Sequence, residues 1–182
     1  MSQKFEYDVV VAGGGTAGCF AAATTAAEGL NTVLIERKNE EKAGDIACGD
    51  ALKGKSTFPD VIDRKYLAEE AFTNEHIRRA VFENPNGDVL DIPLPEVGTI
   101  VDRKRYGEVL LEETERQGAD IHYNTVVQDV VENDNGHVTG VKAKSNGDVR
   151  EYSAEVVEVG ANVTEFAEGD KVVEEPIHDC GH

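Results

Sequence analysis

Basic residues are scarce in this chain. Its 182 residues carry 18 lysines and arginines against 36 aspartates and glutamates, a formal net charge of −18. Such a surface repels nucleic acid and anionic membranes. It marks either an acidic interaction surface or an adaptation to high salt, where screening relieves self-repulsion; the second reading is preferred. Cysteines are few as well. Cys19, Cys48 and Cys180 are odd in number, scattered, and form no C-x-x-C pair. That pattern points to a reduced cytoplasm. No basic start of a signal peptide precedes the first apolar run, so no targeting segment is read. The run Val9–Ala27 has no charge, but its glycines and threonines, and Glu6 and Asp8 before it, argue against a membrane span. The length suits one domain, or one domain plus a fragment.

What the chain does have is a glycine turn in an informative place. Val9-Val10-Val11-Ala12 is apolar on both faces, as a central parallel strand should be. Gly13, Gly15 and Gly18 follow in a G-x-G-x-x-G pattern. The first permits a sharp turn, the second lets a pyrophosphate approach the backbone, and the third lets the next helix pack close. That helix should run from Thr16 to Glu28, kept thin by alanines and ended at Gly29. Its first residues, Thr16 and Ala17, offer free N–H groups and the positive end of the dipole. A second strand, Asn31–Ile35, then delivers Glu36, the acid expected to hold an unphosphorylated ribose. The unit points to FAD or NAD rather than NADP. The plainer alternative is a tight turn followed by a surface acid.

Further along, Pro59 could begin a short helix with Val61, Ile62 and Tyr66. Ile77–Glu83 and Val89–Pro93 read as a hairpin about the turn Asn84–Asp88. His76 and His137 read as surface histidines. Asp102 is placed to cap a helix whose buried face carries Tyr106, Val109, Leu110 and Thr114. A strand at Ala119–Tyr123 follows. Thr125–Glu132, His137–Lys144 and Val149–Ala154 read as a three-stranded meander with strong hairpin turns between them.

Between Glu36 and Lys55 lies a long polar loop containing Glu36-Arg37-Lys38 and Cys48-Gly49-Asp50-Ala51-Leu52. Together with the glycine unit and Asp102-Arg103-Lys104-Arg105-Tyr106-Gly107, it resembles the geranylgeranyl reductase family of para-hydroxybenzoate hydroxylase-like flavoproteins. The resemblance covers about residues 5–155. Asp50 and Ala51 depart from that family's usual Glu and Gly, and Tyr106 and Gly107 from its usual Phe and Asp. It implies an α/β, Rossmann-like FAD/NAD(P)-binding domain, with a parallel sheet and a three-stranded β-meander, incomplete at its end. It implies FAD as cofactor, held by Gly13, Gly15, Thr16, Ala17, Gly18, Glu36, Arg37, Cys48, Gly49, Arg103 and Val127. Cys48 is the implied catalytic residue, beside the flavin ring; from the residues alone it is equally a small buried loop residue. The implied reaction is reduction of C=C bonds in isoprenoid lipid chains, as in archaeal membrane lipids. The implied setting is cytoplasmic, with peripheral contact at the inner membrane surface. No electron donor is implied.

From Val156 the sequence Val156-Val157-Glu158-Val159-Gly160…Gly169-Asp170-Lys171-Val172 resembles the catalytic domain of zinc-dependent medium-chain alcohol dehydrogenases. That implies a composite: a truncated flavin domain over 1–155 and a β-rich dehydrogenase piece over 156–182. The strand that should flank the first two would then be missing, leaving an apolar sheet edge. His178, Cys180 and His182 alternate along the tail, but no metal site is assigned to them. Three functions remain open: an active FAD oxidoreductase, a dinucleotide-binding module without catalysis, and a broken product.

Overall fold

Strands that are apolar on both sides must be covered on both sides, and this requirement sets the layering. The computed structural model describes residues 3–45, 50–52 and 60–159, apart from the side chains of 74–76, 94–97 and 158–159. In chain order, β1 (Gln3–Glu6) leads to β2 (Val9–Ala12), α1 (Thr16–Ala27) and β3 (Thr32–Ile35). Then come β4 (Ala51–Leu52), α2 (Arg64–Ala71) and the long hairpin β5 (Phe72–Glu83) and β6 (Val89–Val101). Helix α3 (Arg103–Arg116) and β7 (Asp120–His122) return the chain to the core. The meander β8 (Thr125–Glu132), β9 (Val138–Ser145) and β10 (Asp148–Ser153) precedes β11 (Val156–Val159).

Strands β11, β2, β3 and β7 form a parallel sheet in that order. Alternate residues of each strand point to opposite faces. Val9, Val11 and Leu34 pack with Phe20, Ala23, Tyr106 and Leu110 on the helical side. Val10, Ala12, Val33, Ile35 and Val157 pack with Val141, Ala143 and Tyr152 on the meander side. The result is three layers: helices, parallel sheet, antiparallel sheet. The thinness expected of α1 is realised, with Ala22 and Ala23 fully buried.

The expected missing strand is present. Val156–Val159 lies parallel to β2 in the register Val156↔Val9 to Val159↔Ala12. Its Val157 is 1% exposed. The apolar flank of β2 is therefore covered, by a strand that follows the meander after the short link Ala154–Glu155. A run such as Val-Val-Glu-Val fits a buried parallel strand as well as a barrel strand, so the local pattern could not separate the two. Residues 160–182, including His178, Cys180 and His182, lie outside the described residues.

β1 was not anticipated. It pairs parallel to β10, with Phe5 opposite Tyr152. A strand of Gln-Lys-Phe-Glu has a single apolar residue, and only its partner 147 residues away makes it a strand. The hairpin is found, longer than expected, with register shifts between Phe72 and Arg79. Its turn is organised by the Asn84 side chain, which accepts from the N–H groups of Asn86 and Asp88. The meander falls within a residue or so of its expected strands. Helix α2 begins three residues after Val61, capped by Asp63.

Candidate functional site: the α1 N-terminus and the residues around it

The geometry starts with the turn after β2. Gly13 adopts φ +112°, a conformation that L side chains rarely take. Its N–H donates to Ile35 O at 2.9 Å, tying the turn to the end of β3. Gly18 sits in the first turn of α1. A Cβ there would lie 2.0 Å from Gly13 O, so only glycine allows the helix to approach the turn this closely. Gly15 is the N-cap of α1 and gives it no side-chain cap, and the first turn contains no acid. Helices α2 and α3 differ. Asp63 accepts from Lys65 N–H at 2.8 Å, and Asp102 from Arg105 N–H at 3.0 Å. The first α1 N–H groups thus receive no cap from the Gly15 side, and the dipole at that terminus favours an anion.

Glu36 stands at the end of β3, 7% exposed. Its Oε2 accepts from Gly14 N–H at 2.7 Å and its Oε1 from Lys38 N–H at 2.8 Å. These bonds fix the carboxylate against the glycine turn. Each oxygen retains a further lone pair for an external donor. The sequence marked Glu36 but not Gly14 and Lys38. The triple glycine was a signal for Gly14; nothing local identifies the Lys38 amide.

Arg103 arrives from the far side. As the first residue of α3 it donates from Nη2 to Thr16 Oγ1 at 3.0 Å, across 87 residues of sequence. Its guanidinium carbon lies 5.2 Å from the Tyr106 ring centroid. Its Nε is buried and lacks a hydrogen-bond partner among the described residues. A guanidinium at a helix N-terminus is opposed by the dipole. It stands here at two such termini, those of α1 and α3. An anion placed between them would satisfy the N–H groups, the dipoles and the orphaned Nε together.

The remaining expected residues are placed less uniformly. Thr16 and Ala17 form the start of α1, half-buried. Arg37 is exposed beside Glu36. Val127 is half-buried in β8, two residues beyond Thr125, whose N–H donates to Glu36 O at 3.0 Å. That bond brings the start of β8 beside the acid. Cys48 and Gly49 lie outside the described residues. The loop leading to them is anchored, because Gly44 passes against Gly107 of α3. A Cβ on Gly107 would meet Gly44 Cα at 2.4 Å. Glycine at both positions lets the two backbones touch. Cys19, in α1, is buried, and burial pushes its thiol up to about 12. It is a core residue rather than a nucleophile.

A parallel sheet, a glycine turn at an uncapped helix and a strand-end carboxylate define a dinucleotide-binding protein. The comparisons with known proteins give the family. The chain belongs to the FAD dependent oxidoreductase family, which matches residues 8–157, and FAD is the dinucleotide of that family. Digeranylgeranylglycerophospholipid reductase from Methanocella arvoryzae is 30% identical over 161 residues, covering 85% of this chain and 38% of the relative. The reductase of the same name from Methanoculleus marisnigri is 33% identical over 169 residues, covering 89% of this chain and 40% of the relative. Among solved structures, a geranylgeranyl bacteriochlorophyll reductase-like protein from Thermoplasma acidophilum matches with TM-score 0.70 and 26% identity, over 86% of this chain and 39% of the other. The chain therefore spans about two-fifths of the length of these relatives.

The likeness to alcohol dehydrogenases is not upheld. Residues 1–155 are 85% of the chain, so a reductase match covering 89% of it runs past Glu155. The fourth parallel strand at Val156–Val159 agrees with that. Among the described residues no group of His, Cys, Asp and Glu is placed to hold a metal ion. Among them, too, no helix is long and apolar enough to cross a membrane.

Proposed function

We propose that this chain is the FAD-binding part of an oxidoreductase of the geranylgeranyl reductase kind, acting on C=C bonds of isoprenoid lipid chains. The observation that carries the reading is the meeting of the glycine turn, Glu36 and Arg103 at one helix N-terminus. In this reading the α1 N–H groups and Arg103 take the diphosphate. Glu36 accepts from the ribose hydroxyls, for which a carboxylate is suited and a 2′-phosphate is not. Val127 supplies backbone contact near the adenine, and Arg37 flanks the ribose. Cys48 and Gly49 belong beside the isoalloxazine, where their loop helps deliver a proton. Bound FAD supplies the hydride chemistry. The isoprenoid substrate brings the protein to the inner membrane surface as a peripheral contact.

A second reading is a dinucleotide-binding module that needs further polypeptide for catalysis. The two-fifths coverage of the relatives favours it. So does the hairpin, where Val81, Phe82, Val89 and Leu90 are each 59–60% exposed. The deciding experiment is the visible spectrum of the purified chain in high salt, after FAD is added and then removed by desalting. A retained flavin spectrum, followed by bleaching with dithionite and turnover of a geranylgeranyl lipid, supports the first reading. ADP binding without flavin retention supports the second. Failure to bind either refutes both.

A further inference from the structure

We propose that Tyr106 is a positioning residue that holds Arg103 at the diphosphate site, through its ring face and not its hydroxyl. The inference rests on the dinucleotide reading and adds a residue to it. Tyr106 lies one turn after Arg103 on α3 and is fully buried. The Arg103 guanidinium carbon stands 5.2 Å over its ring. This geometry is that of a cation–π contact, which strengthens as water is removed.

Arg103 needs such a hold. Both helix dipoles at its position push a cation outward. The acid nearest in sequence, Asp102, accepts from the Arg105 N–H at 3.0 Å, in the capping geometry. Among the described residues, the Arg103 side chain is held by the neutral hydroxyl of Thr16 and the Tyr106 ring. With the ring gone, a flexible side chain under outward electrostatic force would leave the site for water. With the ring present, the guanidinium is kept across the α1 terminus with Nε unsatisfied and waiting for an acceptor.

The hydroxyl contributes no counter-charge. Burial pushes the Tyr106 phenol up to about 12, with Arg103 lowering it only in part. It is neutral across the working pH range. Its oxygen is also buried without a partner among the described residues. Phenylalanine would therefore keep the cation–π face and remove an unsatisfied polar atom.

The test measures ADP and adenosine binding to the full chain in high salt, by calorimetry. Tyr106→Leu should weaken ADP about thirtyfold, the size of a desolvated cation–π contact. It should leave adenosine unchanged, because adenosine has no phosphate for Arg103 to reach. Tyr106→Phe should restore wild-type ADP affinity, and ADP affinity should stay flat from pH 8 to 10, where the terminal phosphate is already fully ionised. In an Arg103→Met background, Tyr106→Leu should cost ADP nothing more. Tyr106→Met, closer in volume, replaces the leucine variant if thermal unfolding shows that variant unfolded. Equal losses for ADP and adenosine, or the same loss with Arg103 already removed, would overturn the positioning role. A wild-type chain that binds no ADP would overturn the dinucleotide reading itself, and this inference with it.

Discussion

Replacing Gly18 by alanine sets two physical effects against each other, and they differ in sign. Within a helix, alanine is favoured over glycine by about 1 kcal/mol. Helix propensity alone therefore expects Gly18→Ala to stabilise α1. The tertiary geometry expects the reverse. The new Cβ would fall 2.0 Å from Gly13 O and 3.2 Å from Gly13 C, both backbone atoms of the turn. An ordinary carbon–oxygen approach is about 3.3 Å, so helix and turn must separate by about 1 Å. Overpacking of this kind costs about 1–3 kcal/mol, and more where rigid backbone is the obstacle. With backbone as the obstacle the cost lies at the upper end of that range, so after the propensity gain a net loss of about 2 kcal/mol is expected. The same displacement pulls the Gly13 turn away from the α1 terminus. Loss of one charge-assisted bond to a phosphate is worth about 1.5–3 kcal/mol, or at least about tenfold in affinity. Urea unfolding in high salt measures the first effect, and quenching of flavin fluorescence on titration with FAD measures the second. A Gly18→Ala chain as stable as wild type, or more so, would refute the close approach of α1 to the glycine turn.

Three further outcomes follow from other parts of the molecule. Val157→Asp buries a carboxylate between β2 and the meander and should cost more than about 3 kcal/mol, abolishing cooperative unfolding in urea; an unchanged midpoint would mean that β11 does not belong to the sheet. His122, hemmed in by Phe5, Tyr7 and Tyr152, has its pKa lowered from the ordinary 6.5, chiefly by burial and then by Arg150. The unfolded chain then binds the extra proton, so its contribution to stability is complete above about pH 6.5 and is lost as pH falls below it; urea midpoints from pH 5 to 8 should show the slope, and His122→Phe should flatten it. Raising KCl from 0.1 to 1 M shortens the screening length from about 10 to about 3 Å, so a chain of net charge −18 should gain in urea midpoint, and a salt-independent midpoint would remove charge repulsion as a stability term.

Much of the structure that depends on neighbours in sequence was legible, although the Asp63 cap that starts α2 at Arg64, rather than at Pro59, was not. The strand-turn-helix unit at Val9–Ala27, the Asp102 cap and the two tight turns of the meander are each built from contacts within a few residues. Their residue types are demanded by local backbone geometry, as Gly13 at φ +112° illustrates. Glu36 was also legible, because a strand of known direction must carry its next residue to the edge where the turn lies.

What required the folded molecule is what joins distant segments. Only packing brings Arg103 to Thr16, sets the Glu36 carboxylate under the Gly14 amide, and lays Gly44 against Gly107. Only the partner strand makes β1 of Gln3–Glu6. The clearest case is Val156–Val159, whose apolar pattern suits two unrelated folds equally. A strand-turn-helix glycine unit and a strand-end acid could be read directly from the residues, because their chemistry is local. Packing put β11 on the flank of β2 and Arg103 at the same helix terminus. Burial of a strand and convergence of charge depend on what lies opposite in space, and no window of sequence contains that.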